Sequence, residues 1–255
     1  MRFIYEYITR VVFDPTIGQH NIQLRCLPAR EAFQQIADES FVISDGFWHR
    51  EGKDGFGNRI ISGGTSDRHA TLEYICRGKV EQSTYCIPDA NPHPVFSIPS
   101  EERYEGLADI IREASGLRGL DAPLAVMHFV FRYMTYIPGT TDINTSLSSV
   151  VASRQGVCQD YAHLMVEICR RAGLPARYVC GLMIGEGATH AWVEVHDGQC
   201  WYAFDPTNDT AIATGYIKLA HGRNAQDCPV SRGTYLGNTC QTTMVSVSVS
   251  EVPKG

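Results

Sequence analysis

Three side chains in the second half of the sequence are of the types that thiol catalysis needs: Cys158, His190 and Asp205. A cysteine supplies the nucleophile, a histidine takes its proton, and a carboxylate orients the histidine. The three residues are far apart along the chain. Whether they can act together therefore depends on the elements that carry them.

Cys158 directly precedes an amphipathic pattern that predicts a helix over residues 159–172. The apolar stripe of this helix consists of Tyr161, Leu164, Met165, Ile168 and Ala172. Gly173 is typical of a helix end. The unpaired N–H groups and the dipole at a helix start favour a thiolate over a thiol. A lone cysteine at a helix start is more often structural than catalytic, so its position alone does not identify a nucleophile.

A predicted β-hairpin carries His190 and Asp205. Residues 189–196 alternate between two faces, and residues 199–205 form the returning strand. Asp197-Gly198 between them is a strong signal for a two-residue type I′ turn. With that turn residue 196 faces residue 199, and His190 faces Asp205 directly across the hairpin. The pattern predicts a hydrogen-bonded His–Asp pair, with a purely structural hydrogen bond as the alternative.

Three more residues are candidates for a substrate cleft. Tyr136 and Gln155 precede Cys158 and could shape the site or polarise a carbonyl. Trp192 shares the predicted face of His190, so it either walls the cleft or packs in the core.

Two polar residues near these motifs, His163 and Arg177, are predicted to have structural rather than catalytic roles. His163 lies five residues after Cys158 and therefore points away from it on a helix, as a packed or capping histidine. Arg177 is expected to pair with a carboxylate. Zinc has no fourth ligand beside the three candidate catalytic residues, so neither a metal nor a cofactor is expected.

The surrounding sequence predicts two units, of residues 1–95 and 96–255. The first unit is β-rich, with strands at 21–27, 59–61 and 71–76, a turn at Asp14-Pro15, and a sandwich-like arrangement. Prolines 88, 92, 94 and 99 mark the boundary. Helices are then predicted over 101–115, capped by Ser100 and closed by Gly116, and over 124–133.

Composition narrows the classes of protein. The chain has 255 residues, with 22 basic and 28 scattered acidic residues and a net charge of −6. This distribution argues against a nucleic-acid partner, and no apolar run is long enough for a membrane span. The N-terminal sequence lacks an apolar signal region, and the nine cysteines are an odd number without zinc spacing. We therefore expect reduced thiols and a cytoplasmic location.

Seven segments of the sequence resemble, in order, motifs of the bacterial transglutaminase-like superfamily. The core segments are 156–163 (GVCQDYAH), 172–181 (AGLPARYVCG), 189–195 (THAWVEV) and 204–208 (FDPTN), and the outer ones are 54–58 (DGFGN), 136–140 (YIPGT) and 222–230 (GRNAQDCPV). Asn224 and Cys180 depart from the usual Asp and Ser of the family. Neither departure touches the three candidate catalytic residues.

This resemblance implies an α+β fold with a papain-like core, in which a helix bearing the nucleophile packs on an antiparallel sheet. It also implies a catalytic triad of Cys158, His190 and Asp205. The expected function is hydrolysis of a peptide, protein or small amide substrate through a thioester. Acyl transfer to an amine, as in transglutaminases, and a non-enzymatic protein-binding module are the alternatives.

Overall fold

The protein is described here by a computed structural model that covers residues 1–142 and 145–253. The helices in these residues are α1 (Ala108–Gly116), α2 (Asp121–Tyr133), α3 (Leu147–Ser153) and α4 (Cys158–Arg171), with a short 3-10 helix at Pro94–Ser97. The strands are β1 (Arg2–Leu24), β2 (Gln34–Ile43), β3 (Trp48–Lys53), β4 (Arg59–Thr65), β5 (His69–Gln82), β6 (Ile87–Pro88), β7 (Thr135–Tyr136), β8 (Gln155–Gly156), β9 (Ala176–Met183), β10 (Gly185–Gly187), β11 (His190–His196), β12 (Cys200–Asp205), β13 (Thr210–Ile212), β14 (Tyr216–Gly222), β15 (Ser231–Leu236) and β16 (Cys240–Glu251).

The long strand β1 organises the first sheet. Its first half pairs with β5 and β16, and its second half pairs with β4 and β15. Buried and exposed positions alternate along much of β1, so the two ladders that share it enclose one apolar core. In the described residues these strands belong to an eight-stranded antiparallel sheet, which confirms the β-rich prediction. The predicted turn at Asp14-Pro15 is wrong, because β1 continues through it with a register shift between Val12 and Ile17.

The second sheet carries the candidate site. Its strands follow the order β13-β12-β11-β9-β14, with β6 added beside β12. Ala191, Val193 and Val195 of β11 pack with the apolar stripe of α4, while Trp192 packs in a different core on the opposite face. The α+β class and the helix packed on an antiparallel sheet are thus confirmed.

The C-terminal strands return to the first sheet. β16 pairs with β1 from Phe3↔Glu251 to Asp14↔Cys240. β15 also pairs with β1, and β10 pairs with β16. The division at residue 95 stays a prediction, and strands from beyond that residue complete the β-rich sheet.

The predicted helices are found with altered starts. α4 begins at Cys158, one residue before the predicted start, and α2 begins at residue 121 instead of 124. The helix predicted over 101–115 begins only at Ala108, after Gly106 at a φ of 82°. Ser100 does not cap it, because its N–H and hydroxyl groups bind the Glu167 carboxylate of α4. No helix in the described residues is long and apolar enough to cross a membrane.

Candidate active site

The start of α4 is built around Asp160. Its Oδ2 accepts hydrogen bonds from the N–H of Val157 (2.8 Å) and from the hydroxyl of Thr141 (2.6 Å). A Cβ at Gly156 would lie 2.6 Å from the same oxygen, so only glycine fits there. These contacts place Cys158, which is half-buried, as the first residue of the helix, where the N–H groups lack intrahelical acceptors.

The β11–β12 hairpin has a different register from the predicted one. His196 lies opposite Trp201, not opposite Gln199, and residues 197–199 lie between the two strands. The Asp197 side chain explains the wider loop, because its Oδ1 accepts the N–H groups of Gln199 (2.8 Å) and Cys200 (2.9 Å). The pairing is therefore displaced by two residues.

His190 and Asp205 nevertheless form a hydrogen bond, with Nε2 and Oδ2 2.8 Å apart. A displacement of two residues leaves every side chain on its original face of the sheet, because side chains alternate with a period of two. The two residues meet diagonally instead of directly opposite each other. The predicted contact is present, but the register from which we derived it is wrong.

The Asp205 carboxylate is completely buried and accepts five hydrogen bonds. Oδ2 accepts from His190, from the Tyr216 hydroxyl (2.8 Å) and from the Asn208 side chain (2.7 Å). Oδ1 accepts from the backbone N–H groups of Thr207 (2.8 Å) and Asn208 (3.2 Å). Burial alone would raise the pKa of Asp205, but the bonds to His190, Asn208 and Tyr216 lower it overall. The group is thereby kept ionised.

His190 stands between Asp205 and Cys158. Burial lowers its pKa, but the hydrogen bond and charge of Asp205, together with the nearby Cys158, outweigh burial and raise the pKa from 6.5 to about 9. An imidazolium is therefore stable at neutral pH. This arrangement suits a thiolate–imidazolium pair with an orienting carboxylate.

A cavity of about 1190 Å³ lies beside Cys158 and His190. Its walls come from α4, β9, β11 and the segments 95–104 and 223–233, with Tyr178 and Cys180 among its lining residues. Sites for drug-sized ligands occupy about 300–1,000 Å³, so this space can hold a segment of peptide. The thiol and the imidazole are therefore both open to a substrate.

The three predicted cleft residues differ in their burial, and the structure places none of them in the wall of the cavity. Trp192 is fully buried and does not line the cavity, so its interpretation as a cleft wall is wrong and the core alternative holds. Tyr136 is half exposed, and partial burial together with the nearby Cys158 raises its pKa. Gln155 is exposed on β8, beside the strand of Tyr136. Neither Tyr136 nor Gln155 lines the cavity.

The structural interpretations of His163 and Arg177 agree with the structure. His163 accepts the N–H of Ala225 at 3.0 Å, as a capping histidine, but it lines the same cavity as Cys158. Arg177 forms a buried ion pair with Glu194, which also binds the Lys218 ammonium at 3.0 Å. Burial alone would raise the pKa of Glu194, but the charges of Arg177 and Lys218 hold it well below its usual range. This network lies in the core.

Sequence reasoning missed two partners of Asp205. Asn208 belongs to the FDPTN motif, and an amide three residues after a buried carboxylate is a local signal that could have identified it. Tyr216 lies on β14 and gives no signal, because only the sheet topology brings it to Asp205. Within the described residues, no group of three or more His, Cys, Asp and Glu side chains is arranged to hold a metal ion.

Comparison with known proteins places residues 107–206 in the family described as the transglutaminase-like superfamily. An uncharacterized protein of Mycobacterium leprae is 34% identical over 141 residues, which are 51% of this chain and 50% of that protein. A protein-glutamine gamma-glutamyltransferase of Pseudomonas aeruginosa is 33% identical over 156 residues, which are 53% of this chain and 23% of that protein. The chain thus spans about half the length of the first relative and less of the second.

The fold comparison covers the whole chain. The crystal structure of a candidate cysteine protease from Cytophaga hutchinsonii matches with a TM-score of 0.79 at 24% identity, covering 100% of this chain and 92% of that one. The fold is therefore shared from the β-rich sheet to the α4-bearing core. Residues 107–206 thus match the core of the transglutaminase-like superfamily, which confirms the resemblance seen in the sequence.

Proposed function

We propose that this protein hydrolyses peptide or other amide bonds by cysteine-dependent acyl chemistry. The observation that carries the proposal is the position of His190, which is hydrogen-bonded to Asp205 and lines, together with Cys158, a cavity large enough for a peptide. The fold shared with the Cytophaga candidate cysteine protease supports the same class of reaction. A peptide, a protein or a small amide is the proposed substrate.

The proposed reaction has two halves, formation of a thioester and its hydrolysis, and each of the three residues acts in both. His190 holds the Cys158 proton while the thiolate attacks the carbonyl carbon, and the backbone N–H of Cys158 stabilises the oxyanion. His190 then gives its proton to the departing amine, which leaves a thioester. Water, deprotonated by His190, hydrolyses that thioester and restores the thiol. Asp205 orients the imidazole and stabilises its positive charge throughout.

Acyl transfer to an amine is the second candidate function. The similarity to the Pseudomonas protein-glutamine gamma-glutamyltransferase, at 33% identity over 53% of this chain, favours it. Both reactions share the thioester and differ only in what attacks it. Peptide-library turnover by wild type and Cys158→Ala, with and without an added primary amine, distinguishes them by the product formed.

Alkylation by iodoacetamide tests the proposal without a known substrate. Cys240 is the matched internal control, because it is the exposed cysteine among the nine free ones. We expect Cys158 to be labelled faster than Cys240 near neutral pH, as measured by peptide mass spectrometry. Labelling of Cys158 no faster than Cys240 would instead favour the non-enzymatic binding module.

A further inference from the structure

Tyr216 reaches Asp205 from a distant strand. In the second sheet β11 and β9 lie between β12, which carries Asp205, and β14, which begins with Tyr216. The Tyr216 ring packs edge-on against Trp192, with ring centroids 5.4 Å apart. Its hydroxyl then donates to Asp205 Oδ2 at 2.8 Å. Tyr216 therefore crosses the face of the sheet to meet the carboxylate.

The first sheet holds Tyr216 in place. Gln82, at the end of β5, donates from Nε2 to the Tyr216 carbonyl at 2.8 Å and accepts the Gly215 N–H at 3.0 Å. Both the Gln82 side chain and the Tyr216 ring are buried. Neither residue lies in the segment 107–206 that matches the family, so this support comes from outside the shared core.

We propose that Tyr216 is a positioning residue, whose hydroxyl fixes the Asp205 carboxylate and shares its charge with His190; this rests on the function proposed above. Oδ2 binds three side-chain donors, and Tyr216 and Asn208 are the two that compete with His190 for its negative charge. Without the hydrogen bonds from Tyr216 and Asn208, the Asp205 carboxylate would bind the His190 imidazolium more tightly. Proton delivery to the departing amine would then be slower.

Replacement of Tyr216 by phenylalanine tests this role. Tyr216→Phe removes only the hydroxyl and leaves Oδ2 with two side-chain donors, so the fold is expected to survive. NMR titration of the His190 ring is expected to show its pKa at a higher pH than in wild type, because Asp205 then attracts the imidazolium more strongly. With a substrate in hand, kcat is expected to fall about tenfold, with KM unchanged.

Two further variants make the test specific. Tyr7→Phe is the matched control, because it removes a buried hydroxyl 3.2 Å from that of Tyr74 in the first sheet, and the His190 titration should not move. Asn208 is exposed, and Asn208→Ala removes the other donor that competes with His190 for Asp205 Oδ2. The His190 titration should move in the same direction as in Tyr216→Phe.

A His190 titration in Tyr216→Phe that equals wild type, or one that also moves in Tyr7→Phe, would overturn the proposal. The titration needs no substrate. A wild-type protein without activity would therefore contradict the proposed function and leave this test of Tyr216 intact.

Discussion

Replacement of Asp205 tests the orientation of the base, His190, separately from nucleophilic attack by Cys158. Asp205→Asn keeps the size of the side chain but removes the charge that stabilises the His190 imidazolium. The equivalent change in a serine protease costs about 10⁴-fold, and a partly ionised thiol depends less on its base, so we expect a loss of about 10–10³-fold in turnover. Cys158→Ala should abolish turnover. Full activity of Asp205→Asn would remove the residue from the catalytic set.

The raised pKa of His190 predicts the alkaline side of the pH profile. The imidazolium interactions are complete below the ordinary value of 6.5 and are lost as the pH rises through about 9. We therefore expect kcat/KM to fall with an apparent pKa of about 9, since the proton for the departing amine is then missing. In Asp205→Asn this fall should move to lower pH. If the fall of kcat/KM in Asp205→Asn kept its apparent pKa of about 9, a group other than His190 would control it.

The element that positions the nucleophile is the Gly156–Asp160 turn at the start of α4. Gly156→Ala would drive a Cβ into the Asp160 carboxylate, so the cap and Cys158 must both shift. We expect slower alkylation of Cys158 and a lower thermal midpoint. Gly116→Ala is the control, because nothing lies within 4 Å of a Cβ at that helix end. Alanine is the better helix former, so neither the alkylation rate nor the thermal midpoint should fall. Equal alkylation rates in the two variants would contradict this role of Gly156.

Elements with a strong local pattern were predictable from the sequence, whereas their junctions were not. The apolar stripe located α4 to within one residue, because its burial repeats along the helix. The hairpin strands were also found, but the Asp197 side chain overrode the two-residue turn. The shift of two residues happens to preserve the face of His190 and Asp205. The Tyr216 contact depends on strand order, which no local pattern encodes.

Across the whole molecule, the buried charges around Glu194 connect the second sheet with the segment that precedes β2. Glu194 is fully buried and pairs with Arg177 and Lys218, while Lys218 also binds Glu31 of the N-terminal half at 2.9 Å. Glu194→Gln would remove the negative charge that pairs with the buried Arg177 and Lys218. We therefore expect a loss of about 3–5 kcal/mol in the free energy of unfolding, measured with urea.

The control for Glu194 is an exposed ion pair. Glu81→Gln breaks the Arg2–Glu81 pair, in which both side chains are about half exposed, and should cost no more than about 0.5 kcal/mol. Equal losses in the two variants would show that burial of the Glu194 network does not set its contribution.

The pairing of β1 with β16 has a consequence for how the chain is made. Residues 3–14 bond to residues 240–251, and the Val252 N–H donates to the Arg2 carbonyl at 2.8 Å. On the ribosome, β1 is synthesised long before β16, so the strands and helix that carry Cys158, His190 and Asp205 already exist when this partner appears. Contacts of such long sequence separation form slowly. Closure of the first sheet is thus expected to be a late event in maturation, and a circular permutant that joins residues 2 and 252 through a short linker should fold faster than the natural order.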